Sequence, residues 1–296
     1  MPIVSVLLPV YNCETYVTEA IQSILNQTFS DFELIVINDG SSDGSLAAIE
    51  KISDSRLTVI THENKGLSES LNIGLRLANA PLIARMDADD LSTPDRLAKQ
   101  VTYLDQHPEV SLVGSHATIL SGTTLTNRVH QHPCRPNDIR AFLCLDNPFV
   151  HSSVMFRKKL ILGLGGYSST KEHQPEDYFL WSALSQDFSL ANLPEKLVAY
   201  RELPNSISKL SSVPFPFIDQ ISFEYLKSHF NFVPSAWLRR FSAFIHFNKV
   251  PEARLLFLLQ SIVVYLLIIF RFRPLEKPTW KKILGSFKRL LRSTLF

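Results

Sequence analysis

Ile3-Val4-Ser5-Val6-Leu7-Leu8-Pro9-Val10 opens the chain as an almost unbroken apolar run, the composition of a strand buried on both faces. The period then changes. Glu14–Leu25 sets Val17, Ile21, Ile24 and Leu25 on one helical stripe. Glu33–Ile37 is a second apolar strand, and Asp43–Ile52 reads as a helix after Ser41-Ser42. Leu57–Thr61 and the helical Ser68–Ala78 repeat the pair. Leu82–Met86 is a fourth strand, and Thr93-Pro94 opens a helix with proline in its first turn. Strand and helix alternating at this spacing require crossover connections, which predicts an α/β fold with a mostly parallel central sheet and helices on both faces.

Beyond residue 110 the pattern is mixed. Ser111–Leu120 and Val150–Phe156 read as strands, Glu176–Leu184 as a helix, and Gly163-Leu164-Gly165-Gly166 as a tight turn. Three prolines and several serines between Leu203 and Pro216 mark a boundary. The expected organisation is a catalytic domain over 1–205 and a helical region over 206–296, with Trp237–Phe247 among its helices.

A chain of 296 residues, 45% hydrophobic and 20% charged, lies in the globular range, which excludes disordered and collagen-like classes. Charge is unevenly spread. Of 30 basic and 28 acidic side chains, the stretch from Arg271 onward holds eight basic ones against Glu276 alone, and residues 1–270 hold 22 against 27. A mildly acidic body does not fit a nucleic-acid groove, whereas the basic tail asks for an anionic surface. Cys13, Cys134 and Cys144 form no C-x-x-C pair, so neither a disulfide framework nor a zinc knuckle is indicated. The opening run has no basic lead and stops at Pro9, as a strand does and a signal peptide does not. A cytoplasmic catalytic body is the expectation.

In open parallel sheets, ligands bind beyond the carboxyl ends of the strands. There the sequence places Pro9-Val10-Tyr11-Asn12, Asn38-Asp39-Gly40-Ser41-Ser42-Asp43 and Asp87-Ala88-Asp89-Asp90. No G-x-G-x-x-G follows the first strand and no G-x-x-x-x-G-K-[ST] occurs, so dinucleotide and P-loop readings fail. Asp87 and Asp89, two apart on a turn after a buried strand, suit a hard divalent cation, Mg²⁺ or Mn²⁺, bridging to a diphosphate. Helix capping and strand-end solvation are the alternative. Asp39 has the chemistry to accept a hydrogen bond from a pyrimidine N–H or a ribose hydroxyl, or to shape an Asn-Asp-Gly turn. Tyr11 stacks on a base or packs as an ordinary aromatic, and Lys65 reaches a phosphate or stays solvated. Glu176-Asp177 opens a helix, where the dipole favours acids. The functional alternative is a general base that takes the proton of an acceptor hydroxyl, a role only one of the two adjacent acids can fill. His130, His132, His151 and His173 lack metal-site spacing and read as packing or surface residues.

Taken in order, Pro9-Val10-Tyr11-Asn12, Asn38-Asp39-Gly40-Ser41-Ser42-Asp43, Asn64-Lys65-Gly66-Leu67-Ser68 with Asn72, Asp87-Ala88-Asp89-Asp90 and Glu176-Asp177 resemble family 2 glycosyltransferases. The resemblance runs to Tyr200-Arg201. It implies a GT-A (Rossmann-like) fold and inverting transfer from a nucleoside-diphosphate sugar, with a lean toward uridine. It implies that Asp39 holds the base, Asp87 the ribose side and Asp89 the metal, and that Asp177 is the catalytic base. Pro9, Tyr11, Asn12, Lys65 and Ala88 are then expected along the donor site. The Gln-x-x-Arg-Trp motif of the family's processive synthases does not occur; Trp181 lies outside such a context. Addition of one sugar, or few, is therefore expected. Asn147-Pro148, His151 and Met155-Phe156-Arg157 resemble the family's acceptor side.

The tail completes the expectation. Leu255–Phe270 is interrupted only by Gln260 and Ser261, and at about 1.5 Å per residue it falls short of a hydrocarbon core of about 30 Å. In 279–295, Trp280, Ile283, Leu284, Phe287, Leu290 and Leu291 recur at helical spacing, with Lys281, Lys282, Lys288, Arg289 and Arg292 off that stripe. Such a helix suits an anionic membrane surface; packing on the protein with a solvated basic face is the alternative. Peripheral association with the inner face of the plasma membrane would fit a saccharide or lipid-linked saccharide acceptor, and a role in bacterial surface polysaccharide or lipopolysaccharide assembly. Two other readings compete. A sugar-phosphate nucleotidyltransferase would carry a Gly-rich basic loop after the first strand, and Pro9-Val10-Tyr11-Asn12 is neither. An inactive membrane-bound scaffold would be free to lose Asp87, Asp89 and Asp177.

Overall fold

The computed structural model describes residues 1–168, 175–203 and 218–295. His173 and the prolines of the expected boundary lie outside the described residues. The chain divides into two compact units: Met1–Gln131, Phe149–Thr170 and Asp187–Ser206 form one, and His132–Pro148, Lys171–Gln186 and Ile207–Phe296 the other.

In the first unit, β1 (Val4–Val10) is buried along its whole length. It runs parallel to β2 (Phe32–Asp39) on one side and to β4 (Leu82–Arg85) on the other, and β3 (Leu57–His62) pairs parallel to β2. Both faces of β1 are covered. Val4, Val6, Leu8 and Val10 pack with Val17, Ala20, Ile21 and Ile24 of α1 (Val17–Leu25) in one core cluster. On the other side, Leu7 meets α3 (Leu67–Leu77) so closely that a Cβ on Gly74 would lie 3.0 Å from the Leu7 side chain. Each such fully buried aliphatic side chain contributes about 2 kcal/mol, which outweighs the weak strand propensity of Pro9. Pairing with β4 ends at Leu7↔Arg85, so the missing Pro9 N–H interrupts no bond there. The order β3-β2-β1-β4 makes the β1/β4 boundary a topological switch point, the place at which open sheets bind their ligands.

The rest of the sheet is mixed. β5 (Leu91–Ser92), β6 (Val110–Ser121), β7 (Thr124–His130), β8 (Met155–Arg157) and β9 (Ser189–Glu202) continue it in the order β4-β8-β6-β9-β5, with β7 on β6. Only β6 and β9 are parallel among these pairs; β4/β8, β6/β8, β6/β7 and β5/β9 are antiparallel. The remaining helices of this unit are α2 (Ser45–Ile49), α4 (Arg96–Gln106) and the short α6 (Lys158–Gly163).

Several boundaries move for identifiable reasons. The first helix starts at Val17 rather than Glu14, because the Glu14 carboxylate accepts the Gly44 N–H at 2.6 Å and Cys13–Tyr16 form a turn. Asp43 sits before the second helix, accepting the Ser45 and Glu14 N–H groups, and that helix ends at Ile49. The strand expected over Val150–Phe156 is divided. His151–Ser153 is a 3₁₀ turn in which Ser153 Oγ donates to the Val150 carbonyl at 2.8 Å, and the strand begins only at Met155.

The second unit is helical: α5 (Pro136–Leu143), α7 (Glu176–Asp187), α8 (Ile218–His229), α9 (Ser235–Phe247), α10 (Arg254–Phe272) and α11 (Lys277–Leu295). Its interior is aromatic, with Phe241 4.8 Å from Tyr265, Tyr265 5.6 Å from Phe287 and Phe244 5.8 Å from Phe257, all edge to face. Burial pushes His246, on α9, down to about 4. The unfolded imidazole takes its proton below about pH 6.5 and the folded one only near 4, so stability is lost as pH falls through that window. His246→Phe should flatten this loss, as measured by urea melts between pH 4 and 7.

Candidate active site

The acidic turn grows out of β4. Leu82, Ile83 and Ala84 are buried, and so is Arg85, 2% exposed at the strand's end. A guanidinium there requires an anion, and Arg85 Nη1 pairs with Asp87. Asp89 lacks such a partner in the side-chain pairs of the turn. Burial and then the Asp87 charge push its carboxyl up to about 6, against the opposing pull of the Arg85 and Arg201 charges.

Asp90, 1% exposed, is structural. It accepts hydrogen bonds from Ser152 Oγ and from the Arg201 backbone N–H at 2.7 Å, while burial raises its carboxyl well above the usual range. Arg201, at the end of β9, fastens the same turn from outside. Its Nε–H donates to the Asp89 carbonyl at 2.6 Å, its other nitrogens reach the Gly122 carbonyl and Glu19, and the guanidinium lies 4.2 Å over the Tyr16 ring. Sequence reasoning gave no role to Arg85 or Arg201. The available signal was a charged residue closing a buried strand, which needs a counter-charge or a set of acceptors.

The loops after β1, β2 and β3 meet at the same edge. Asn12, with φ +48°, accepts the Ser42 N–H at 2.8 Å through its side chain, and its own N–H donates to Ser41 Oγ at 3.1 Å. Asp39, 4% exposed, accepts the Lys65 N–H at 2.7 Å and the Gly66 N–H at 2.9 Å, one on each oxygen, with His62 Nδ1 3.4 Å away. Each oxygen retains a second lone pair for a ligand. Tyr11 presents an exposed ring, and the Lys65 side chain is exposed. Pro9 and Ala88 are buried and shape the edge rather than line it with reactive groups. Cys13 also borders the acidic turn: burial and then the Asp89 charge push its thiol up to about 12.

Gly40 is required where it stands. Its φ is +68°, and an added Cβ would lie 2.7 Å from the Asn64 backbone nitrogen. Gly40→Ala is expected to cost about 2 kcal/mol or more, read from chemical denaturation.

In the helical unit, Asp177 occupies the first turn of α7. Its Oδ2 accepts Asn147 Nδ2–H at 2.6 Å, and its Oδ1 accepts the Tyr178 N–H at 2.6 Å. Tyr178 anchors the turn by donating its hydroxyl to the Leu143 carbonyl at 2.6 Å. Asn147 thus has a definite task, orienting the Asp177 carboxylate. Glu176 is half-buried beside it. Among the histidines, His151 is half-buried with Nε2 3.1 Å from Tyr167 Oη, while His130 and His132 contact Tyr200 and Phe142 edge to face.

Among the described residues, no group of three or more His, Cys, Asp or Glu converges as a metal cage. Asp87 and Asp89 offer oxygen donors only. That set suits a cation that completes its shell with phosphate oxygens and water, and such an ion would ease the repulsion between the Asp87 and Asp89 carboxylates.

An α/β sheet with an acidic turn at its switch point has the layout of an open-sheet ligand site. The glycosyl transferase family 2 model matches residues 5–163, and the chain belongs to that family; it is a glycosyltransferase. A Haemophilus influenzae protein described as an uncharacterized glycosyltransferase is 37% identical over 71% of this chain and 68% of its own length. The amylovoran biosynthesis glycosyltransferase AmsE of Erwinia amylovora is 34% identical over 69% and 78%. S. aureus TarS 1-349, solved in complex with UDP-GlcNAc, superposes with a TM-score of 0.66 at 18% identity, covering 99% of this chain and 91% of that one. The mannosyltransferase PcManGT from Pyrobaculum calidifontis, solved with GDP-Man and Mn²⁺, gives 0.54 at 19% identity over 100% and 87%. These structural likenesses establish the GT-A-like fold.

Proposed function

We propose that this chain is an inverting enzyme that moves a sugar from a nucleoside-diphosphate sugar, a UDP-sugar by preference, to an acceptor hydroxyl during assembly of a bacterial surface polysaccharide. The observation that carries the reading is the turn Asp87–Asp89, held at the switch point by Arg85 and Arg201 with two carboxylates side by side. The named activity of AmsE and the nucleotide sugars bound by TarS and PcManGT support it.

In this reading Asp39 accepts from the base, Tyr11 stacks on it, and Lys65 reaches toward phosphate. Asp87 and Asp89 would hold a divalent cation, which supplies Lewis-acid stabilisation of the leaving diphosphate. Asp177, oriented by Asn147, takes the acceptor proton as the hydroxyl attacks the anomeric carbon in line, and the site's remaining contribution is positioning. Glu176 flanks the base without sharing its role. The protein works at the cytoplasmic face of the membrane on a saccharide or lipid-linked acceptor, held there by its basic C-terminal helices.

A thermal-shift panel of nucleoside diphosphates and their sugars, with and without Mn²⁺, tests the donor site. One nucleotide class should raise Tm in a cation-dependent way; no shift with any nucleotide overturns the reading. Asp177→Asn should leave that shift intact while lowering kcat roughly 10²- to 10⁴-fold; unchanged turnover would remove Asp177 from the chemistry.

A further inference from the structure

Six of the large apolar side chains that are exposed lie on one helix. On α10, Leu255, Leu256, Leu259, Val263, Leu266 and Phe270 are between 41% and 66% exposed. At about 100° per residue they share an arc of about 100°. The opposite side of the same helix, with Phe257, Val264, Tyr265, Ile268 and Phe272, is buried in the helical unit together with Gln260 and Ser261. This is the division of a helix that lies against a second medium, rather than one surrounded by it.

The stripe expected on α11 is used differently. Ile283 and Leu290 are buried with Thr279, Ser286 and Thr294, and Phe287 packs on Tyr265. Trp280 and Leu284 remain on the exposed side, beside Lys277, Lys281, Lys288 and Arg292. The exposed stripe of α10 is bracketed by Arg254 at its start and by Arg271 and Arg273 at its end, all exposed, and Arg273 stacks 4.5 Å over the Phe270 ring. From residue 254 onward the sole acid is Glu276, and its carboxylate is already engaged by Arg135 and the Cys134 N–H.

We infer that the membrane-contacting surface is this outer stripe of α10, lying in the plane of an anionic bilayer, and that α11 serves as its internal brace and as a source of flanking cations. The inference rests on the membrane association proposed above and names the surface that performs it. Charge selects the occupant. A second copy docked stripe to stripe would bring two sets of uncompensated arginines together, whereas anionic headgroups complement them while the acyl boundary receives the leucines. Although α10 has the length and apolarity to cross a bilayer, the burial of Gln260, Ser261 and Tyr265 within the unit gives the helix one lipid face.

The test is co-sedimentation of the full-length protein with vesicles of phosphatidylcholine alone or with about one-third phosphatidylglycerol. Wild type should bind the anionic vesicles, and binding should fall as salt shortens the Debye length. Leu259→Glu/Leu266→Glu, on the solvent side, should lose at least roughly tenfold in partitioning with the donor-induced thermal shift unchanged. Trp280→Ala/Leu284→Ser should lose far less. If wild type binds no vesicle, the membrane reading itself fails. If wild type binds and the α10 double variant binds equally, or if the α11 variant loses more, the stripe is not the contact. A lipid-free dimer dissociated by the α10 variant would assign the face to a second copy, and protein extracted only by detergent after high-salt washing would make α10 a span. Each of these results overturns the inference.

Discussion

Asp89→Asn abolishes sugar transfer, with an expected loss of about a thousandfold or more in kcat/KM, while leaving the protein folded. The two halves of this expectation share one cause. Asp89 is buried beside Asp87, and its carboxyl is raised to about 6 from an unfolded value near 3.9. Between those values the folded state binds more protons than the unfolded one, so this group's contribution to stability falls as pH rises through about 4 to 6. Above that range an ionised Asp89 is a local cost that a bound cation would relieve. The variant without ligands should therefore melt at or above the wild-type temperature at pH 7.5, and Mn²⁺ with nucleotide should no longer raise its Tm. A variant that unfolds, or that keeps its cation-dependent shift, would show that Asp89 is a structural residue instead.

Arg201→Met produces the largest loss of stability expected outside the apolar core. The guanidinium is fully buried and donates to the Asp89 and Gly122 carbonyls and to Glu19. Removing it takes the shared donor from the part-buried bonds to the Asp89 and Gly122 carbonyls and from the Glu19 carboxylate, three bonds costing about 3 kcal/mol together. For a unit of this size that lowers Tm by roughly 6–12 °C. Arg201→Lys should recover little, because an ammonium cannot reproduce the fork that serves three acceptors. Cation-dependent nucleotide binding should weaken alongside stability, since the lost bond is to the carbonyl of Asp89 itself; a stable variant with unaltered binding would contradict this account.

The acidic edge of the sheet was legible because its signals are local. Buried strands followed at once by Asp39 or by Asp87–Asp89 need no knowledge of the rest of the chain, and the parallel order of β1 to β4 follows from the helices between them. The second half of the sheet gave weaker signals. β9 carries an exposed break at Pro194-Glu195-Lys196 and register shifts against β6, so it shows neither alternation nor a continuous apolar run. β7 is polar and largely exposed. Val150–Phe156 looked like a strand because the partner that holds Ser152 out of one, Asp90, is set by tertiary structure. The same holds for α11, whose apolar spacing was visible but whose inward-facing side depends on where Tyr265 stands.

The double bond pattern of Asp39 has a thermodynamic consequence. By accepting the Lys65 and Gly66 N–H groups, a side chain at the end of a buried strand freezes the backbone of the neighbouring loop before any ligand arrives. If the donor nucleotide docks there as proposed, it has little loop motion left to suppress, so the ordering entropy that usually opposes capture by a surface loop is already spent in folding. Donor binding should accordingly show a small entropic penalty by calorimetry, and Asp39→Ala should enlarge it beyond what the loss of one contact explains.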